Sequence, residues 1–408
     1  MTEKPSIIFV DDQNNILQGF RRSLHGLEDV WTINYAAGGK EALKIMQDNA
    51  VDVIVCDTNM PVMRGTELLQ EVRSLYPKTI RLVLSGGGGR SDDVAVLLRT
   101  SHQFLSKPFD FEKLKAKVDL LLMLRARVKN NSLIELVAGL SELPCSPNLY
   151  REFRKELEDD GADLDKMSGY IAQDPGLTAK MLQSLNSTFF GVSKAGIHPY
   201  KAAQSMGPGT ISYLFDENTH FSTIDASHTN YAFLAERYKR SVQCATLLEA
   251  LAAVENLPES ARSIAYTTGM LNDIGSIILA HRLPNEYAKL IPYFKNGVSQ
   301  REAEIKALGA SHNDVGAYFL GLWGFPEAVI NAAAYSQTPE KDPDQAVNMT
   351  TLAHVAQALV RADDLAGQKS HMNTAYLEKL GLIGRLQEWH DLNKEVQKMD
   401  LWKTWAFA

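Results

Sequence analysis

Over the first 125 residues, short apolar runs alternate with longer segments of helical periodicity. SIIFV (6–10), VDVIVC (51–56), IRLVL (80–84) and HQFL (102–105) read as buried strands, and WTINYA (31–36) as a fifth, less apolar one. Between them, NNILQGFRRSL, GKEALKIMQDN, GTELLQEVRSL, SDDVAVLLRT and DFEKLKAKVDLLLML repeat apolar residues at the spacing that lines one helix face. Five strand–helix units in succession predict an α/β domain, a doubly wound five-stranded parallel sheet, over 5–125. The periodicity that starts at Phe111 runs past Arg125, so the last helix is read as continuing into a linker helix over 126–146, with ELPCSP breaking the chain. Beyond it the strand pattern vanishes. Helical segments punctuated by Gly and Pro predict an all-α domain over 147–340 and a helical extension over 341–408.

A length of 408 residues fits this division into two or three domains. Lys and Arg number 42 against 49 Asp and Glu, a net charge of −7, and no helix-turn-helix with a basic face is visible, so a nucleic-acid partner is not expected. Cys56, Cys145 and Cys244 lie far apart and form neither a disulfide framework nor a zinc pattern, which suits a reducing cytosol. The start, MTEKPSIIFVDDQ, lacks a signal peptide's long apolar run, and LLLML (120–124) is too short to cross a bilayer. These features predict a cytoplasmic protein with no membrane partner.

Polar residues cluster at the carboxyl ends of the predicted strands, where doubly wound sheets gather their chemistry. Asp11 and Asp12 follow the first strand, Asp57 ends the third, Ser85 the fourth and Lys107 the fifth. Carboxylates held together repel until a proton or cation relieves them. A hard divalent ion such as Mg²⁺ suits an all-oxygen site. Lys107 adds a point charge for a phosphoryl oxygen and Ser85 a hydroxyl donor, a set that suits an Asp nucleophile attacking a phosphoryl group.

FVDDQ, CDTNMPVMRG, LVLSG and FLSKPF, in this order and spacing, closely resemble the receiver domain of bacterial two-component response regulators. The resemblance implies that Asp57 is the phosphoacceptor and that a sensor histidine kinase or phosphotransfer protein supplies the phosphoryl group. It implies that Asp12, Asp57 and the backbone carbonyl of Asn59 bind Mg²⁺, with Asp11 acting through water. Ser85 and Lys107 would sense the phosphoryl group, and Phe104 matches the aromatic that turns inward on activation. The Lys107–Pro108 bond is often cis in that family. Gly86–Gly89 lacks the Lys-Ser/Thr of a phosphate loop and reads as a loop near the acceptor.

The helical part resembles the HDOD domain, a relative of HD phosphohydrolases, through LPCSPNLYREF, IAQDPGLTAKMLQSLNS (171–187) and LGASHNDVGAYFLGLWGFPEAVINA. An HD site needs a ring of His and Asp around a divalent ion. By that resemblance Arg240 stands where the first His belongs, and Asn272-Asp273 replaces the His-Asp pair. Tyr335-Ser336 replaces the distal histidines and Gln357 the closing Asp. Asp273 and His312 survive; His354 lies on an apolar segment and reads as a core or capping residue. Two ligands beside the charge of Arg240 are not expected to hold a metal, and the Gly-Tyr-Pro signature of cyclic-di-GMP phosphodiesterases is absent.

The expected function is a response regulator whose Asp57 controls a non-catalytic HDOD scaffold with an unknown downstream protein. The alternative is a metal-dependent phosphodiesterase acting on a cyclic nucleotide through the degenerate site. The aromatics of SLNSTFFG and FDENTHF read as core or as a partner surface. The tail, with Trp389, Trp402 and Trp405, either docks on the helical domain or joins two protomers in a homodimer.

Overall fold

The computed structural model describes residues 4–85, 91–159, 161–186, 198–215 and 221–399. Gly86–Gly89, most of SLNSTFFG, and Trp402 and Trp405 lie outside the described residues. The chain divides into two compact units, one built on the residues up to Ser141 together with the segments from Gln183 and Gly321–Gly324, the other on the remainder from Glu142 onward.

In the first unit β1 (Ser6–Val10), β2 (Thr32–Ala36), β3 (Val53–Asp57), β4 (Ile80–Ser85) and β5 (Gln103–Ser106) form one parallel sheet in the order β2-β1-β3-β4-β5. Alternating with them are α1 (Asn14–Ser23), α2 (Gly39–Asp48), α3 (Gly65–Leu75), α4 (Ser91–Thr100) and α5 (Phe111–Arg127). Strands β1, β3 and β4 are buried at every residue, which is why they read as unbroken apolar runs. Edge strand β2 is half exposed and correspondingly less apolar. The strand order reverses between β1 and β3, placing the crevice of such sheets beside Asp11 and Asp57.

The continuous linker helix expected over 126–146 is corrected. Helix α5 stops at Arg127, and α6 (Asn131–Gly139) begins afresh with the Asn130 side chain accepting the Ser132 N–H at 2.9 Å. An Asn that satisfies an orphan amide starts a helix; it does not propagate one. Nor is this segment a free spacer, because Arg81 holds its end. Arg81 lies within β4, only 2% exposed, and donates to the carbonyls of Thr79 (2.9 Å), Thr100 (2.6 Å) and Ala138 (2.8 Å). The His102 ring lies 2.9 Å from the same Ala138 oxygen and accepts the Arg81 backbone N–H. Arg73 adds a hydrogen bond to the Ser141 hydroxyl at 2.8 Å. A charge on a central strand is tolerated only when its donors are satisfied, and here they tie α6 to the amino-terminal edge of the sheet.

The second unit is helical apart from β6 (Leu143–Cys145), which pairs in parallel with Phe221–Thr223. This corrects the expectation that strands end before the second domain; three-residue strands are too short to leave a periodic pattern. The IAQDPGLTAK stretch owes its form to this strand. The buried Asp174 carboxylate accepts N–H bonds from Ser146 (2.8 Å), Gly176 (2.8 Å) and Leu177 (3.0 Å), joining the end of β6 to the start of helix Pro175–Asn186. A Cβ on Gly176 would lie 2.3 Å from the Pro144 oxygen.

Helices Tyr231–Val254 and Glu259–Leu271 pack closely, since a Cβ on Gly269 would lie 2.5 Å from the Ala245 Cα. Helix Met349–Leu359, buried along its whole length, packs on both. Leu386–Gln397 covers Tyr231–Val254, and buried Trp389 donates its indole N–H to Glu255 at 2.7 Å. The described part of the tail therefore docks within its own unit. Phe215 and Phe221 are buried with ring centroids 5.6 Å apart, the core alternative for FDENTHF.

Candidate functional site

At the carboxyl edge of the parallel sheet, β1 and β3 deliver Asp11 and Asp57, both buried. The Lys107 ammonium, just past β5, bridges them at 2.8 Å from Asp11 Oδ2 and 2.7 Å from Asp57 Oδ1. The Lys107 backbone N–H donates to the Ser85 carbonyl at 2.7 Å, fixing where its side chain starts, and the Lys107–Pro108 bond is cis. The second oxygens accept backbone N–H groups, Asp11 from Gln13 at 2.9 Å and Asp57 from Asn59 at 3.0 Å. A Cβ on Gly65 would lie 2.1 Å from the Asp57 carbonyl oxygen, the physical reason for the glycine closing NMPVMRG.

Burial alone would lower the Lys107 pKa, but its hydrogen bonds and charge pairing with Asp11 and Asp57 outweigh this and raise it. One ammonium against two carboxylates leaves the cluster net negative, and exposed Asp12 adds a further carboxylate. With the Asn59 carbonyl, the donors are all oxygen, the chemistry a hard divalent cation answers. Ser85 and Phe104 are buried beside this edge, at the end of β4 and within β5. The structure thus brings Asp11, Asp57 and Lys107 into direct contact and leaves Asp12 and Asn59 on the exposed rim.

The second unit holds the degenerate site. Asp273 Oδ2 lies 2.9 Å from Arg237 Nη1, and its Oδ1 accepts the Ser276 hydroxyl at 2.6 Å. His312 Nε2 is 3.8 Å from Asp273 Oδ1. Both ring nitrogens of His312 are engaged: Nδ1 lies 2.5 Å from buried Glu304 Oε2, and the Gln337 amide lies 2.8 Å from Nε2. With Nδ1–H donating to Glu304, Nε2 accepts from Gln337. A Cβ on Gly275 would lie 1.9 Å from the His312 carbonyl oxygen, so packing alone requires the glycine. Burial pushes the Asp273 carboxyl up, but the Arg237 guanidinium, with the Ser276 hydroxyl, outweighs it and holds it below the usual range.

At the degenerate site both surviving candidate ligands, Asp273 and His312, are already engaged. Arg237 sits on the carboxylate, and the lone pair that His312 would offer a metal accepts from Gln337 instead. Arg240 lines the cleft half-buried, 3.3 Å from Glu236, without touching Asp273. Asn272 and Gln357 line a void of about 20 Å³ together with Arg237 and Arg240. Tyr335 ends helix Glu327–Tyr335 half-buried, and it is Gln337, two residues on, that reaches His312. His354 is a capping residue, its ring joining the Ser336 carbonyl (2.7 Å) and the Asn373 N–H (2.8 Å). Sequence reasoning missed Arg237, Glu304, Gln337 and Arg361. The available signal was two arginines three residues apart on one helix, where only Arg240 fell on a motif position.

The family model of the response regulator receiver domain matches residues 7–119, and that of the HDOD domain matches residues 143–339. The chain is 32% identical over 141 residues to the transcriptional regulatory protein PrrA of Mycobacterium tuberculosis, covering 34% of this chain and 59% of that protein. It is 32% identical over 142 residues to the response regulator MprA of Mycobacterium ulcerans, covering 35% and 60%. The chain therefore spans only about 59% of the length of these curated relatives. Among solved structures, the signal receiver domain of an HD domain-containing protein from Pseudomonas fluorescens aligns with 28% identity and a TM-score of 0.28, over 30% of this chain and 96% of that one. The MmoQ response regulator from Methylococcus capsulatus aligns with 19% identity and a TM-score of 0.46, over 61% and 98%.

Proposed function

The chain carries a response regulator receiver domain followed by an HDOD domain, and from that premise we propose that phosphorylation of Asp57 sets the state of a non-catalytic HDOD output domain that binds another protein. The observation that carries this reading is the Lys107 ammonium bridging Asp11 and Asp57 at the sheet's carboxyl edge.

A sensor histidine kinase or phosphotransfer protein presents a phosphohistidine. An Asp57 carboxylate oxygen attacks the phosphorus, the new P–O bond forms as the P–N bond breaks, and the leaving imidazole takes up a proton. Asp12, Asp57 and the Asn59 carbonyl, with Asp11 through water, would hold Mg²⁺, which would supply charge neutralisation. Lys107, already 2.7 Å from the acceptor oxygen, is within reach of a phosphoryl oxygen, and the Ser85 hydroxyl ends the neighbouring strand.

The route outward follows β4 and β5. Strand β4 carries Ser85 at one end and Arg81 near the other, about 13 Å away at the rise of a parallel strand. Phe104 lies on β5 between His102 and Lys107. Arg81 and His102 together hold the last turn of α6, so a shift of either strand at the phosphoryl end bears on the segment leading to the HDOD domain. Couplings of this kind are worth about 1–3 kcal/mol.

A non-enzymatic output is supported by the engagement of Asp273 with Arg237 and of His312 with Glu304 and Gln337. No helix among the described residues is long and apolar enough to cross a membrane, in keeping with action in the cytoplasm. The test is labelling with acetyl phosphate and Mg²⁺, read on a phosphate-affinity gel, with and without Asp57→Asn. The native protein should shift and the variant should not; equal labelling of both would remove Asp57 as acceptor. Affinity capture of cellular proteins by native and Asp57→Asn chains, each treated with beryllofluoride, should differ in at least one partner.

A further inference from the structure

The cleft beside Asp273 gathers three arginines. Arg237 and Arg240 stand three residues apart on helix Tyr231–Val254, and Arg361 lies two residues beyond helix Met349–Leu359. All three line the void of about 20 Å³ beside Asn272 and Asp273, and all three also line an open cleft of about 450 Å³.

The facing anions do not balance them. Asp273 is committed to Arg237 at 2.9 Å and to Ser276. Glu236 lies 3.3 Å from Arg240, but its side chain is 56% exposed and water screens it. Glu304 is engaged by His312 and Tyr287. Among the described residues the Arg361 guanidinium makes neither an ion pair nor a hydrogen bond, Arg237 Nε is buried without an acceptor, and Arg240 Nε makes no hydrogen bond, its nearest anion being Glu236 at 3.3 Å. Burial, then Arg237 and Arg240, lower the Arg361 pKa to about 10. Three guanidiniums in a partly dehydrated cleft repel one another, and an anion that enters removes that cost while meeting the unsatisfied donors.

We propose that this cleft binds the phosphoryl group of a small phosphate-bearing molecule and keeps it intact. The planar fork of arginine matches a tetrahedral oxyanion, and three forks meeting from two chain segments suit its several oxygens. The cleft lies in the size range of small-ligand sites and extends beyond what one phosphate fills. Phe294 and His371 line it as well, offering ring surfaces to an attached base, and Ser299 and Gln300 offer polar contacts. The groups that hydrolysis would call on are occupied, Asp273 by Arg237 and Ser276, and His312 by Glu304 and Gln337. This inference goes beyond the phosphorelay reading and does not depend on Asp57.

The test is isothermal titration calorimetry of the full chain with inorganic phosphate, AMP and cyclic-di-GMP in separate arms. At least one should bind saturably. A nucleotide that binds tighter than phosphate assigns the ring-lined wall to a base; equal affinities assign the site to free phosphate. Phosphate also has Lys107 to bind, so the assignment rests on Arg361→Gln, which should weaken binding at least tenfold. With one like charge removed, Arg361→Gln should also melt higher than the native chain when no ligand is present, a shift that a merely structural arginine would reverse. Arg240→Lys keeps the charge and loses the fork, and should weaken binding severalfold with an unchanged circular dichroism spectrum. Absence of saturable binding in all three arms, or undiminished binding by both variants, overturns the proposal.

Discussion

The Arg237–Asp273 pair offers the sharpest test of the charge pairing in the second unit's cleft. At 2.9 Å and an effective dielectric near 20, the gross attraction is about 6 kcal/mol. Both side chains are largely buried, at 9% and 14% exposure, so most of that attraction offsets desolvation. Removing one partner strands the other and should cost about 3–5 kcal/mol. The two single variants should differ. Arg237→Met leaves Asp273 with Ser276 and with Arg240 and Arg361 nearby, so its cost should fall near the lower bound. Asp273→Asn leaves three guanidiniums without their buried carboxylate and should be the worse. The double variant Arg237→Met/Asp273→Asn removes both charges and should come within about 2 kcal/mol of the native protein. Urea unfolding measures the energies, and hydrogen exchange across Tyr231–Val254 assigns the transition to the second unit. The pH dependence has a definite sign. In the native protein the Asp273 pKa is lowered below its ordinary 3.8, so its contribution is present above that value and lost as pH falls through the folded value. In Arg237→Met burial raises the pKa instead, so the variant's deficit should shrink as pH falls from about 7 to about 5. Single-variant costs that simply add in the double variant would refute the pairing argument.

Gly275→Ala should destabilise the helical unit by about 3 kcal/mol, because its Cβ would meet the His312 carbonyl, a backbone atom that cannot rotate away; a melting point within a degree of native would contradict this. Burial, then the Arg81 charge, lowers the His102 pKa well below 6.5, so the ring is neutral when folded and takes a proton only on opening. Its contribution is full above about pH 6.5 and falls below it, so hydrogen exchange in α6 should quicken between about pH 6.5 and 5, and His102→Gln should abolish that dependence. Elemental analysis of the purified chain should find no stoichiometric iron, manganese or zinc; about one equivalent, lost on His312→Ala, would restore the phosphodiesterase alternative.

The receiver domain was legible in the sequence because its determinants are local. Each strand is a short apolar run, and each polar group stands at a fixed offset from a strand end, so Asp11, Asp57, Ser85 and Lys107 could be placed by counting. The all-α class of the second part was legible for the same reason. The break at Val128–Asn130 was not, since α5 and α6 are both helical in pattern and the capping bond of Asn130 depends on its backbone geometry. The anchoring of α6 by Arg81 was also invisible: a single Arg in IRLVL gives no sign of what its guanidinium meets 57 residues later. In the second unit the sequence pointed to Arg240, Asn272, Asp273, His312 and Tyr335 by motif position, but not to the groups that meet Asp273 and His312. Arg237, Glu304, Gln337 and Arg361 come from four separate segments and meet only when the helices pack. Sequence alone determined the elements and the offsets of the receiver's polar groups; tertiary packing decided that the Arg237 guanidinium pairs with the Asp273 carboxylate and that three arginines line one cleft, because charge pairing depends on distances across the fold.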